Sequence, residues 1–424
     1  MDFPDAQLVI LDATMTQWKL SPFETRLVVN AAAAPPAAPY GAALGAILSP
    51  QGFAAAEREI RAWPGYRATD LVSLPGLARA AGIGQIWYKD EGTRFGLGSF
   101  KALGGAYAVF CYLADAIRQR TGKRPSSAEV MAGHYRDIVS KLTVCTATDG
   151  NHGRSVAWGA QMFGAPCIIY IHATVSEGRR AAIAKYGAEV RRIAGDYDDS
   201  VHQAAADSAT NGWQVISDTS YAGYRDVPKW VMQGYGVMVG ELLEQLPAAE
   251  RPTHLFIQAG VGGLPAAVVA YLWQKLGRDR PSVVVVEPHV ADCLYQTARN
   301  GKPTKASGNL DTLMAGLAAG EVSLIAWEIL NPGANAFLTI PDSAAVAAMK
   351  AVAEGVDGDR RIVGGEAGVG GLAGLLAAAA EPARRAALGL DANSRALIVG
   401  SEGDTDPDLY RELVGRSGAE IRAA

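Results

Sequence analysis

Cysteine is scarce: the chain has four in 424 residues, Cys111, Cys145, Cys167 and Cys293, and no CxxC spacing. That excludes a disulfide framework and a thiolate zinc site, and it suits a reducing cytoplasm. An excess of one charge sign is also missing, since 39 basic residues stand against 43 acidic ones for a net charge of -4. Such a balance leaves no electrostatic footprint for nucleic acid or an anionic membrane, so neither is expected as a partner. The amino terminus, MDFPDAQLVILDATM, lacks a basic segment ahead of an apolar run, and no secretory signal is read there. The longest apolar run, residues 255–273, has the length to span a bilayer but holds Gln258, three glycines and Pro265. It reads as strand, loop and helix. No HExxH, GxSxG, GxGxxG, Walker lysine or EF-hand pattern occurs, so metalloprotease, α/β-hydrolase, dinucleotide and calcium readings lose support, and no metal is expected.

Glycine is what the chain has in excess: 48 residues, against the roughly 30 that an average share of about 7% would give. Proline is ordinary and no Gly-X-Y period occurs, so the surplus belongs to specific turns. With 49% hydrophobic and 19% charged residues, the composition is that of a globular protein. Its length suggests two to three domains. Residues 1–65 carry an Ala/Pro segment whose prolines break any long helix, and no function is read there. From residue 142 to 217 the runs LTVCTAT, PCIIYIH, AEVRRIA and WQVIS alternate with stretches of helical spacing, which predicts βαβαβαβ and a parallel sheet. Thr174 with Glu177 forms a candidate capping box, and Asp196 stands before a helical stretch reaching Ala206. THLFIQAG, SVVVVEP and RALIVGSEG add a second α/β layer, and IWYKDE reads as a further strand.

Open α/β sheets bind ligands beyond the carboxyl ends of their strands, so the strand-to-helix junctions hold the chemistry. After IWYKDE, Lys101 lies among small residues at a predicted helix start, where enclosure favours the neutral amine that a Schiff base needs. After LTVCTAT comes Asp149-Gly150-Asn151-His152-Gly153, whose amides can hold a carboxylate and whose Asn151 can meet a ring hydroxyl. After THLFIQA, the residues Gly260, Val261, Gly262, Gly263 and Leu264 can cradle a phosphate, or merely make a tight turn. After RALIV, the run GSEGDTD can bind a heterocycle nitrogen through Ser401 or cap the next turn. Glycines flank each of these places, and a further cluster at residues 364–371 surrounds Glu366.

The order GSFKALGG, TDGNHG, GVGGL, GSEGDTDP resembles the pyridoxal phosphate enzymes of the tryptophan synthase β fold type. From about Tyr66 to Leu413, with DTSYAGYRDVPKWVMQGY and LMAGLAAGE included, the chain resembles the diaminopropionate ammonia-lyase family. The resemblance implies fold type II: two doubly wound α/β domains with the active site in the cleft between them. The larger, cofactor-binding domain would take residues 1–104 and 222–424, and the smaller 105–221. It implies a homodimer, a small amino-acid substrate and pyridoxal 5'-phosphate as cofactor. Lys101 would hold the cofactor aldehyde beside Phe100, Asn151 would face its 3'-oxygen, residues 260–264 its phosphate, and Ser401 its pyridine nitrogen. A hydroxyl partner leaves that nitrogen largely neutral, which favours elimination over transamination.

Asp149 stands where related dehydratases usually have Ser or Thr, and the resemblance makes it the base for a D-substrate, with Lys101 serving the opposite face. Asp218 matches a second catalytic aspartate, or is a strand-end cap. Gly150, His152, Tyr197 and Glu366 complete the expected substrate contacts. The implied reaction is α,β-elimination of 2,3-diaminopropionate, D or L, to pyruvate and ammonia. The alternative is a dehydratase of serine, threonine, hydroxyaspartate or another β-substituted alanine. The chain departs from the family pattern at Thr69-Asp70-Leu71, at Ala319 and at Gly365-Glu366-Ala367-Gly368-Val369.

Overall fold

The computed structural model describes residues 9–12, 17–148, 150–247 and 249–424. In chain order its strands are β1 (Val9–Asp12), β2 (Gln17–Leu20), β3 (Arg26–Val29), β4 (Leu71–Ser73), β5 (Gln85–Asp90), β6 (Val144–Ala147) and β7 (Cys167–Ile171). They continue as β8 (Glu189–Arg192), β9 (Gln214–Val215), β10 (His254–Gln258), β11 (Ser282–Pro288), β12 (Ala336–Ile340) and β13 (Arg395–Gly400). The chain forms two α/β units. One comprises residues 1–44, 68–93 and 238–424, the other residues 45–67 and 94–237.

The first unit holds a seven-stranded sheet in the order β3-β12-β11-β10-β13-β5-β4. Its five inner strands are parallel, and the edges β3 and β4 pair antiparallel. The sequence of β10 (HLFIQ) and that of β12 (AFLTI) are buried throughout, a continuous run rather than an alternation, as a sheet covered on both faces requires. Helix Gly370–Ala380 packs so closely on this sheet that a Cβ on Gly374 would lie 2.6 Å from Val286 Cγ2. After β10 the chain moves outward through β11 and β12, then returns to the other side of β10 as β13. This reversal opens a crevice at the carboxyl ends of β10 and β13.

The second unit holds a four-stranded parallel sheet in the order β8-β7-β6-β9. Here too the strand order reverses, between β6 and β9, which places the segments following those strands side by side. Helices Lys101–Thr121 and Asn151–Phe163 cross tightly: a Cβ on Gly105 would meet Ser155 Oγ at 2.5 Å, and one on Gly159 would meet Ala106 Cα at 2.6 Å.

The predicted strands of both layers are present, and Asp196 caps its helix through a capping box with Asp199. That helix runs past Ala206 to Asn211. The candidate box at Thr174 is displaced: Ser176 is the N-cap, accepting from the Arg179 amide, while Thr174 Oγ1 pairs with His172 Nδ1 at 3.0 Å. The strand β12 and the edge strands β3 and β4 were not predicted. The Ala/Pro-rich amino-terminal region does contain helix Pro50–Arg61, because Pro50 sits in its first turn, where no amide is needed, behind the Ser49 cap. The units divide at 93/94 and 237/238 rather than at the expected 104/105 and 221/222, and residues 45–67, expected in the larger domain, fall in the second unit. Packing explains the shift. Helix Lys101–Thr121 is continuous, and the first half of helix Asp226–Gln245 lies on it, with Gly234 against Leu103 and Tyr235 against Gly104.

Candidate active site

In the second unit, Lys101 is the first residue of its helix, as the sequence predicts. Its Nζ forms an ion pair with Asp218 Oδ2. Asp218 follows β9 and the Asn151 helix follows β6, so the strand reversal carries them to one place. Burial pushes the Asp218 carboxyl up, but the charge and hydrogen bond of the Lys101 ammonium outweigh it and hold the group well below the usual carboxylate range. His152 is buried, and its Nε2 donates to the Ile216 carbonyl at 2.7 Å. A carbonyl only accepts, so this bond fixes the tautomer and leaves Nδ1 bare. Nδ1 lies 3.9 Å from Asp218 Oδ2 and is buried without a hydrogen-bond partner. Burial lowers the His152 pKa, which keeps the ring neutral.

Phe100 is buried with its ring centroid 4.6 Å from that of Tyr235. The Tyr235 hydroxyl is buried beside the Lys101 ammonium, and burial pushes it above the usual tyrosine range. Tyr235 was not among the expected residues, because nothing local in WVMQGYG distinguishes it from a core tyrosine. Asn151 opens its helix and accepts from Arg154 at 2.7 Å, with Gly150 before it at φ 156°. Tyr197 begins its own helix and is 38% exposed. Asp149 lies outside the described residues.

In the first unit, residues 260–264 lead from β10 into helix Gly263–Leu276. Gly262 is the N-cap, in a left-handed conformation (φ 98°), and no side chain caps the helix. A Cβ on Gly262 would crowd Leu330, Ala326 and Leu294, all within 3.4 Å. The first-turn amides of a helix have no intrahelical partner, and the helix dipole adds positive potential there. The run is a cradle suited to a phosphate. Ser401 follows β13 at the same reversal and is buried, its Oγ accepting from Gln258 Nε2 at 2.7 Å. Glu366 is buried in this unit. In the sequence Gln258 shows only as an interruption of the apolar run 255–273. The signal was available, because a polar side chain in a buried strand must find partners.

The glycine clusters divide by task. Those at residues 260–263 expose backbone, whereas Gly104, Gly105 and Gly368 permit close packing: a Cβ on Gly368 would lie 2.4 Å from the Glu402 carbonyl.

Residues 62–390 match the family described as pyridoxal-phosphate dependent enzyme. Diaminopropionate ammonia-lyase of Salmonella typhimurium is 39% identical over 367 residues, covering 84% of this chain and 90% of that enzyme. The Escherichia coli K12 enzyme of the same name is 38% identical over 356 residues, covering 82% and 88%. The crystal structure of the Escherichia coli holoenzyme superposes with a TM-score of 0.84 at 34% identity, covering 93% of this chain and 97% of that one. Its complex with D-serine gives the same TM-score and covers 95% and 99%. The chain belongs to the pyridoxal-phosphate dependent enzymes and, among them, to the diaminopropionate ammonia-lyase family. Its architecture is fold type II and its cofactor is pyridoxal 5'-phosphate. Taken unit by unit, the groups present have chemistry that suits such a cofactor: the first unit offers helix-start amides suited to a phosphate and a neutral hydroxyl suited to a pyridine nitrogen, and the second an amine suited to an aldehyde.

Proposed function

We propose that this chain is an ammonia-lyase that takes 2,3-diaminopropionate, D or L, and one water to pyruvate and two molecules of ammonia. The observation that carries the reading is the Lys101–Asp218 ion pair beside the bare Nδ1 of a neutral His152. In this reading Lys101 binds the cofactor aldehyde and Phe100 lies beside it. Asn151 faces the 3'-oxygen, the amides of Gly260, Val261, Gly262, Gly263 and Leu264 hold the phosphate, and Ser401 meets the pyridine nitrogen. When bound, pyridoxal phosphate supplies the electron sink that makes the substrate Cα proton acidic.

The chain's own groups then handle protons. Lys101 Nζ removes the Cα proton of the L-isomer, and the Asp149 carboxylate removes it from the opposite face of the D-isomer. The β-nitrogen must leave protonated, and the ionised Asp218 carboxylate holds the Lys101 ammonium, the group of the pair that carries a proton. His152 Nδ1 accepts from a substrate ammonium, while Gly150, Tyr197 and Glu366 line the substrate. Carboxylates near the β-ammonium favour a diamino acid over serine, which carries no charge there. The reading places the enzyme in the cytoplasm, in keeping with four free, buried cysteines. It makes the enzyme a homodimer on the family resemblance. Among the described residues no helix is long and apolar enough to cross a membrane.

The test is pyruvate release by the holoenzyme from D- and L-diaminopropionate, serine, threonine and threo-hydroxyaspartate. Both diaminopropionates are expected to lead. Fast turnover of serine without turnover of diaminopropionate would move the enzyme to the dehydratases. Asp149→Asn is expected to lose D-isomer activity far more than L-isomer activity, and equal losses would overturn the face assignment.

A further inference from the structure

Gln258 ends β10 and is fully buried. Its side-chain carbonyl accepts from the Gly371 amide at 3.2 Å. Its Nε2 faces three acceptors: the Gly368 carbonyl at 3.1 Å, the Val399 carbonyl at 2.9 Å and Ser401 Oγ at 2.7 Å. Two of these are backbone carbonyls, which cannot donate, so the amide has one possible orientation. An amide nitrogen does not accept, so at the shortest of the three contacts Ser401 Oγ is the acceptor, and the two N–H groups are shared among three acceptors. The glycines around Gln258 keep it there: a Cβ on Gly370 would lie 2.9 Å from Gln258 Cβ, and one on Gly371 would lie 3.0 Å from its Oε1.

A serine hydroxyl has one proton. With its oxygen accepting from Gln258, that proton points elsewhere as a donor. We propose that Gln258 is a positioning residue for the cofactor: it occupies the acceptor side of Ser401, so that the hydroxyl proton is presented to the pyridine nitrogen, which stays neutral and hydrogen-bonded. The inference rests on the assignment of Ser401 to that nitrogen. It gives the buried strand end a part in setting the electronic state of the ring, by way of a hydrogen bond rather than a charge.

The experiment uses the holoenzyme reconstituted with pyridoxal phosphate carrying 15N in its ring, observed by NMR. The wild-type resonance is expected at the position of a neutral, hydrogen-bonded pyridine. A protonated ring nitrogen overturns the proposal, because a hydroxyl that donates to the ring does not leave it a proton of its own. Gln258→Met, similar in length and without a donor, is expected to move the resonance downfield toward free pyridine. Ser401→Ala is expected to move it the same way, and the double variant no further than Ser401→Ala alone. A loaded Gln258→Met enzyme with the wild-type resonance removes the inference and leaves the proposed function intact. A wild-type chain that takes up no cofactor, seen as a missing visible band, removes both. If Gln258→Met does not fold, Gln258→Leu, which also lacks the donor, carries the test with the same expected shift, and an unmoved resonance removes the inference.

Discussion

Lys89 and Lys101 each face a carboxylate away from bulk water, and the two pairs are built differently. Lys89 pairs with Glu241 at 2.8 Å in the first unit, with both side chains 0% exposed. Its ammonium also donates to the Thr69 carbonyl at 2.6 Å and to Gln245 Oε1 at 3.3 Å, so all three protons are used. Lys101 and Asp218, in the second unit, keep 20% and 17% of their side-chain surface exposed, and the unpartnered His152 Nδ1 lies beside them. A closed, saturated pair holds segments together. A partly open one next to a bare acceptor can exchange a proton or a partner, so burial and saturation separate the two roles where residue type alone does not.

The comparison can be broken by exchanging effects. Lys101→Ala should lower turnover by about 10⁴-fold, the upper range for a group that carries proton transfer, and abolish borohydride-reducible attachment of the cofactor. Its unfolding midpoint in urea should barely move. Retained activity within tenfold would erase the distinction. Lys89→Met should do the reverse. Leaving Glu241 buried without its counterion costs about 3–5 kcal/mol, read as a drop in urea midpoint, with turnover per folded molecule preserved. A Lys89 variant as stable as the wild type would show that its pair is not structural.

Asp218→Asn is expected to reduce turnover by about 10²-fold while Lys101 still captures the cofactor, which visible spectra of the loaded variant would report. Wild-type turnover would place Asp218 among the strand-end caps. The smallest effect is on pH. Burial holds His152 below its ordinary value of 6.5, so the unfolded chain takes up a proton there before the folded one does. Stability should therefore fall as pH drops below 6.5 toward the folded value. Asp218 has no part in that window, since its contribution is present above 3.8 and is lost only at lower pH. Glu287, in the first unit, has the opposite sign: burial pushes it from 4.5 to about 8, so its contribution is present below 4.5 and lost as pH rises through about 8. Thermal melts from pH 5 to 7.5 should show a shallower acid-side loss in His152→Gln than in wild type. An identical profile would exclude His152 as the titrating group.

Much of the fold was readable without coordinates. The inner strands of both sheets are apolar runs bounded by turn residues, and the helix at Lys101 follows a Gly-rich loop. The displaced cap at Ser176 marks one limit, because Thr174 and Ser176 are equivalent by type and only the path of the loop chooses between them. The missed β12 marks another. AFLTI is a short apolar run between two helices, and periodicity alone cannot tell such a strand from a piece of buried helix. Tyr235 gave no local signal at all.

By itself the sequence determined the local states: which runs extend, which coil, and where glycine-rich turns expose backbone amides, because spacing, caps and turn residues act over a few positions. It determined family membership too, through ordered motifs. Only the tertiary structure joined Lys101 to Asp218 across 117 residues, set the His152 tautomer from a carbonyl 64 residues away, and turned Gln258 onto Ser401 across 143. Those partnerships follow from strand order. Each sheet reverses direction at one point, and that reversal brings distant strand ends side by side, a relation no local pattern encodes.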